Sequence, residues 1–148
     1  MTGEVARPKV SAFVTRADGR LLVFSHSESP DAGIQVPAGG IEPGEDPAAA
    51  AIRETEEESG FTGFTVERFV DRRLIREQRH GRTELHDRWF FRLIAPDGLP
   101  EQWRHGEGTG PDADDWIPFD FFWIDPDAEP LPLTPDHAEV FRRLRDQS

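Results

Sequence analysis

Residues 39–61 read GGIEPGEDPAAAAIRETEEESGF. Asp46 followed by Pro47 opens a helix, because an Asp side chain can accept from an unpaired first-turn N–H and Pro is pre-set for the first helical position. Ala48 to Ala51 are strong helix formers. The helix is expected to run to about Ser59 and to stop at Gly60, a C-terminal glycine. Within it Glu54, Glu57 and Glu58 stand at i, i+3 and i+4, so their carboxylates leave from one face. Like charges at that spacing cost about 0.2–0.5 kcal/mol per pair. They also sit in the half of the helix where its dipole disfavours anions. Such a face is either left in water or neutralised, and Mg²⁺ is a natural neutraliser because it takes one or two carboxylates together with phosphate oxygens. Glu56 points elsewhere. Ahead of the helix, Gly39, Gly40 and Gly44 with Pro37 and Pro43 shape a loop that lets the main chain approach a ligand closely, immediately before Glu45.

Working outward, Lys9 to Thr15 alternates as a strand. Ala17-Asp18-Gly19-Arg20 is a hairpin turn, and Leu21 to His26 the returning strand. Ser27 to Gly33 is a polar loop, Ile34 to Val36 a short strand, and Pro37 to Gly44 loop. Beyond the helix, Phe64 to Leu74 and Thr83 to Ala95 read as two longer strands around a basic turn near His80-Gly81. Trp103 to Asp115 reads as loop and Trp116 to Ile124 as largely strand. Thr134 caps a last helix with Ala138, Val140, Phe141 and Leu144 on its apolar side. Strands with two helices, out of strict βαβ alternation, predict an α/β (mixed α+β) sandwich. Trp89 and Phe91 fall on one strand face, Phe90 and Arg92 on the other.

The chain has 148 residues, a length that predicts one domain over 1–148. With no Cys there are no disulfides, thiolate metal sites or cysteine nucleophiles. No apolar run is long enough to span a membrane and residues 1–8 do not read as a signal peptide, so the expected compartment is the cytoplasm. The net charge of −12 argues against nucleic-acid polymers and anionic membranes as partners. Between Arg68 and Arg92, however, eight Arg face four acids. That local basic zone suits a small phosphorylated ligand, or else is a solvated strand pair.

The Gly39–Phe61 stretch resembles the box of the Nudix hydrolase family: Gly39, five residues, Glu45, seven residues, Arg53-Glu54, an ordinarily aliphatic position, one residue, Glu57-Glu58, one residue, Gly60 and an apolar residue, Phe61. Every fixed position matches. The one departure is Thr55 at the aliphatic position, where its methyl can still pack. The resemblance implies a Nudix-type α/β/α sandwich with the box as loop–helix–loop. It also implies metal-dependent hydrolysis of a diphosphate in a nucleoside diphosphate linked to another moiety. Glu54, Glu57 and Glu58, with the Gly39 carbonyl, would hold Mg²⁺ (or Mn²⁺), which would lower the pKa of an attacking water. Arg53 would hold the carboxylates in place, and Glu45 would help bind metal or orient the site. Glu54 is the base candidate inside the box and Glu107 the one outside it.

Arg72, Arg76, Arg88, Trp89 and His86 are candidate substrate-binding residues, the Arg side chains for phosphate and Trp89 for stacking. The Pro37-Ala38-Gly39-Gly40 form of the loop tilts the substrate toward ADP-ribose or nucleotide sugars. Dinucleoside polyphosphates and (oxidised) nucleoside triphosphates stay open; the chain has no Tyr and no Pro between Gly60 and Ala95 to mark a subfamily. The competing reading is a Nudix-like nucleotide sensor with little turnover. A homodimer is the protein partner the resemblance allows, with Phe119 to Trp123 as core or interface.

Overall fold

The computed structural model describes residues 4–79 and 81–147, apart from the Arg79 side chain. His80, expected in the basic turn, and residues 1–3 lie outside the described residues. The strands are β1 (Arg7–Thr15), β2 (Leu21–His26), β3 (Ile34–Gln35), β4 (Ala38–Gly40), β5 (Thr65–Arg79), β6 (Arg82–Ile94), β7 (Gln102–Glu107) and β8 (Ile117–Ile124). The helices are α1 (Pro47–Ser59) and α2 (Pro135–Asp146), and Pro30–Ala32 forms one 3₁₀ turn. All strands belong to one sheet of order β5-β6-β1-β2-β8-β7, with β3 on β2 and β4 on β1. The β1/β6 pair is parallel and the other pairs are antiparallel. The mixed sheet lies between the two helices, which is the α/β class expected.

Apolar alternation assigns the two faces. Val10, Ala12, Val14, Phe91, Leu93, Phe119 and Phe121 pack with Ala50 and Ala51 of α1. Phe13, Val23, Ile75 and Phe90 pack with Ala138, Val140, Phe141 and Leu144 of α2. Ala50 and Ala51 are fully buried, and their small side chains bring the helix close to the sheet. Each fully buried Phe or Leu contributes about 1.5–3 kcal/mol of transfer free energy. Trp89 and Phe91 do fall on the α1 side and Phe90 on the other. Of the aromatic run in β8, Phe119, Phe121 and Trp123 are buried in the core.

Two expected loops are partly strand. Ala38–Gly40 pairs with Lys9–Ser11 of β1, a partner remote in sequence that rescues a segment with weak intrinsic strand preference. Gln102–Glu107 pairs with β8 from Gln102↔Phe122 to Glu107↔Ile117. Gly106 hid that strand, yet a Cβ there would run into the Ile117 backbone, so the glycine permits the close pairing.

One topological detail makes room for a site. β1 meets β2 at Thr15↔Leu21, beside the hairpin turn, and its first half pairs with β4 instead. β1 and β2 therefore part away from the turn, and the sheet opens there.

Candidate active site

α1 forms as its residues dictate. The Asp46 carboxylate accepts from the Ala49 N–H at 3.1 Å, and Gly60 ends the helix at φ 80°. Thr55, fully buried, donates its hydroxyl to the Ala51 carbonyl at 2.8 Å, so the one departure from the box is satisfied inside the helix. Arg53 ties the loop to the helix. Its Nε and Nη2 grip both oxygens of Glu45 at 2.8 Å each, Nη2 reaches the Gly40 carbonyl at 2.9 Å, and Nη1 donates to Glu54 at 2.9 Å. This fork pulls the Glu45 carboxyl down to about 2. Glu45 is consumed by that grip and by the Glu42 N–H, and so orients the loop.

Carboxylate oxygens of Glu54, Glu58 and Glu107 lie within 4.8 Å of one another. Burial raises the proton affinity of Glu54, against the pull of Arg53. Burial raises that of Glu58 much further; the Ala38 N–H, at 2.8 Å, opposes it, and Glu107, Glu54 and Glu57 add to it. Three carboxylates gathered this closely, one of them buried, form an all-oxygen set that suits a hard divalent cation. Gly39 lies against this group: a Cβ there would overlap the Glu54 carboxylate. Glu57 stands outside the trio, exposed, with its carboxylate 3.4 Å from Arg53 Nη1.

β7 delivers Glu107 and also closes the end of α1. Trp103 Nε1 donates to the Ser59 carbonyl at 2.9 Å, and His105 Nδ1 lies 3.1 Å from the Glu58 carbonyl. Residues 103, 105 and 107 share a strand face, so the strand that seals the helix end also presents Glu107 to Glu58.

The opening in the sheet is a cavity of about 530 Å³. Gly39, Glu58 and Glu107 line one part of it. Ile75 to Gln78 and Arg88 come from the β5/β6 hairpin, Ile34 to Val36 from β3 and its exit, and Leu133, Thr134, Asp136 and His137 from the start of α2.

Of the expected substrate residues, Arg76 and Arg88 line this cavity. Arg76 is exposed and held by Glu4 at 2.7 and 2.8 Å. Arg88 is buried among Glu77, His86 and Ser11. The structure does not bring the other three to the cavity. His86 has no exposed surface and sits between Glu77 and Glu84. Trp89 is on the α1 side of the sheet, where Arg72 lies over its ring at 4.3 Å and pairs with Asp87. The basic zone is thus largely matched by acids from within it and from outside it: Arg73 reaches Asp71 and Glu139, and Arg92 reaches Glu67.

Sequence reasoning passed over Ser11, Thr134 as more than a cap, and His137. Ser11 and His137 meet at 2.9 Å across 126 positions of chain, a pairing with no local signal.

Residues 5–144 match the family model of the NUDIX domain. An RNA pyrophosphohydrolase from Acidiphilium cryptum is 30% identical over 161 aligned positions, covering 97% of this chain and 92% of that protein. Nudix hydrolase 25 of Arabidopsis thaliana is 46% identical over 60 residues, a stretch covering 40% of this chain and 34% of the relative's length. The solved E. coli dihydroneopterin triphosphate pyrophosphohydrolase shares the fold, with a TM-score of 0.64 at 18% identity over 98% of this chain and 100% of that one. The domain match, the full-length relative, the shared fold and the intact box together mean that this chain belongs to the Nudix hydrolase family.

Proposed function

We propose that the protein hydrolyses a diphosphate linkage in a nucleoside diphosphate joined to another moiety, using Mg²⁺ or Mn²⁺. The observation that carries this is the trio Glu54, Glu58 and Glu107 beside the 530 Å³ cavity. These three would hold the cation, joined by the Gly39 carbonyl and by Glu57, whose exposed side chain can swing toward them. A bound divalent ion supplies charge neutralisation on the phosphates and a more acidic water. Arg53 keeps Glu54 and the Glu45 loop in register through charge-assisted hydrogen bonds. Glu54 or Glu107 takes the proton from the water attacking phosphorus, and the cavity receives the linked moiety.

The test is a phosphate-release screen with Mg²⁺ and with Mn²⁺. Substrates are ADP-ribose, nucleotide sugars, dinucleoside polyphosphates, and plain and oxidised nucleoside triphosphates. The Acidiphilium relative adds a 5′-triphosphorylated oligonucleotide, despite the acidic charge of this chain. Turnover of one class that disappears in Glu58→Gln supports the reading and names the substrate group. A folded protein with no turnover on any of them would point instead to a sensor. Because both base candidates are also proposed ligands, each Gln variant is assayed at saturating Mn²⁺, where loss of the true base should cost about 10²–10⁴-fold in kcat. That variant should also lose the acidic limb of the pH–rate profile.

A further inference from the structure

A chain of hydrogen bonds runs beneath the cavity. Arg88 Nη1 donates to Ser11 Oγ at 2.8 Å, Ser11 Oγ meets His137 Nε2 at 2.9 Å, and His137 Nδ1 meets Thr134 Oγ1 at 3.0 Å. Its direction follows from Ser11, which is fully buried. Its oxygen accepts from Arg88, and among the described residues His137 Nε2 is the partner open to its own hydrogen. Buried hydroxyls are satisfied in folded proteins, so Ser11 donates to Nε2. A neutral imidazole that accepts at one nitrogen donates at the other. Nδ1–H therefore donates to Thr134 Oγ1. Burial, followed by the nearby Arg88 charge, lowers the His137 pKa to about 3, which agrees with a neutral ring.

Thr134 is left with its own hydroxyl hydrogen. It is the N-cap of α2 yet caps no N–H with its side chain, and it lines the cavity. Asp136 lines the cavity two residues from Thr134, while Glu77, also in the lining, is paired with Arg88. Ile34, Val36, Ile75 and Leu133 give it an apolar lining, contiguous with the core under α2.

Building on the proposed hydrolase reading, we infer that Thr134 is a specificity-determining residue. With one lone pair of its exposed hydroxyl taken by His137, it presents its hydroxyl hydrogen to a neutral acceptor, a carbonyl or ring nitrogen of a heterocyclic base. Ser11 and His137 are positioning residues that enforce the donor.

The test measures binding, separately from the turnover screen above. Wild type, Thr134→Val, Thr134→Ser and Ser11→Ala are titrated calorimetrically, with Mn²⁺, against ADP, GDP, CDP, UDP and inorganic tripolyphosphate. Wild type should discriminate among the four bases. Thr134→Val should lose about tenfold in affinity for the preferred one and flatten the preference, and Thr134→Ser should restore both. Ser11→Ala should shift affinity in the same direction. Tripolyphosphate, which has no base, should bind all four proteins alike. Equal binding of the four bases by wild type, an unchanged preference in Thr134→Val, or a parallel loss of tripolyphosphate would overturn the inference. A base preference that depends on Thr134, in a protein that hydrolyses nothing in the panel, would sink the hydrolase reading and leave the subsite standing.

Discussion

At Glu58 the proposed metal role and stability conflict most clearly. A carboxylate that is buried, accepts from the Ala38 N–H and faces Glu54 and Glu107 is costly to ionise. Glu58→Gln keeps an acceptor for Ala38 and removes that charge. In chelator-treated protein the variant should therefore melt higher than wild type, by about 2–4 °C per kcal/mol relieved, while losing its turnover. Calorimetry with and without Mn²⁺ checks both halves: wild type should gain stability from the ion and the variant should gain much less. A variant that melts lower without metal would show that the buried charge is better compensated than its surroundings indicate. The Arg53 fork is the complementary case. Its contacts to Glu45, Gly40 and Glu54 span loop and helix, so Arg53→Lys would lose the two-pronged grip.

At the scale of an element, the two ends of α1 should respond differently. Asp46→Ala removes the N-terminal cap and should cost about 1 kcal/mol, with activity per folded molecule nearly unchanged. Gly60→Ala places a Cβ at φ 80° and drives it into the His105 ring. The left-handed conformation alone costs about 1–2 kcal/mol. The displaced His105 also touches the Glu58 carbonyl and shares a strand face with Glu107. Urea midpoints should fall in both variants, and kcat should fall in Gly60→Ala alone. Loss of activity in both would mean that the helix frays as a unit.

Across the whole molecule, the opening between β1 and β2 sets an acid sensitivity. His137 reaches Ser11 on β1 from α2, packed against the rings of Phe13 and Phe90, with Arg88 as the facing cation and Asp136 beside it. Its folded pKa, about 3, lies below the ordinary 6.5, so the unfolded chain binds the proton first. Its contribution is complete above pH 6.5 and is lost progressively as the pH falls toward 3. Glu54 and Glu58 act in the opposite sense in metal-free protein, since the folded state takes up their protons first. The wild-type minus His137→Gln difference isolates the histidine. That difference in unfolding free energy should shrink as the pH falls from about 6.5 to about 4.5, and a constant difference would contradict a neutral His137.

Local sequence was enough for the box, the limits of α1, the apolar face of α2 and the two faces of β6. Each of these rests on residues within a few positions of one another: a cap, a C-terminal glycine, a period of 3.6 or of 2. Glu54 and Glu58 were legible because a helix fixes what lies one turn away. The remainder waited on tertiary contacts. Glu107 joins them because β7 lies along β8, and β7 was obscured by Gly106, whose value is in the partner's backbone. His86 and Trp89 look like ligands in a basic, aromatic stretch, yet pairing with acids and the face of the sheet keep them from the cavity. Ser11, Thr134 and His137 converge from opposite ends of the chain. Contacts closed over that distance depend on how β1 and β2 part, and no local pattern of residues encodes that parting.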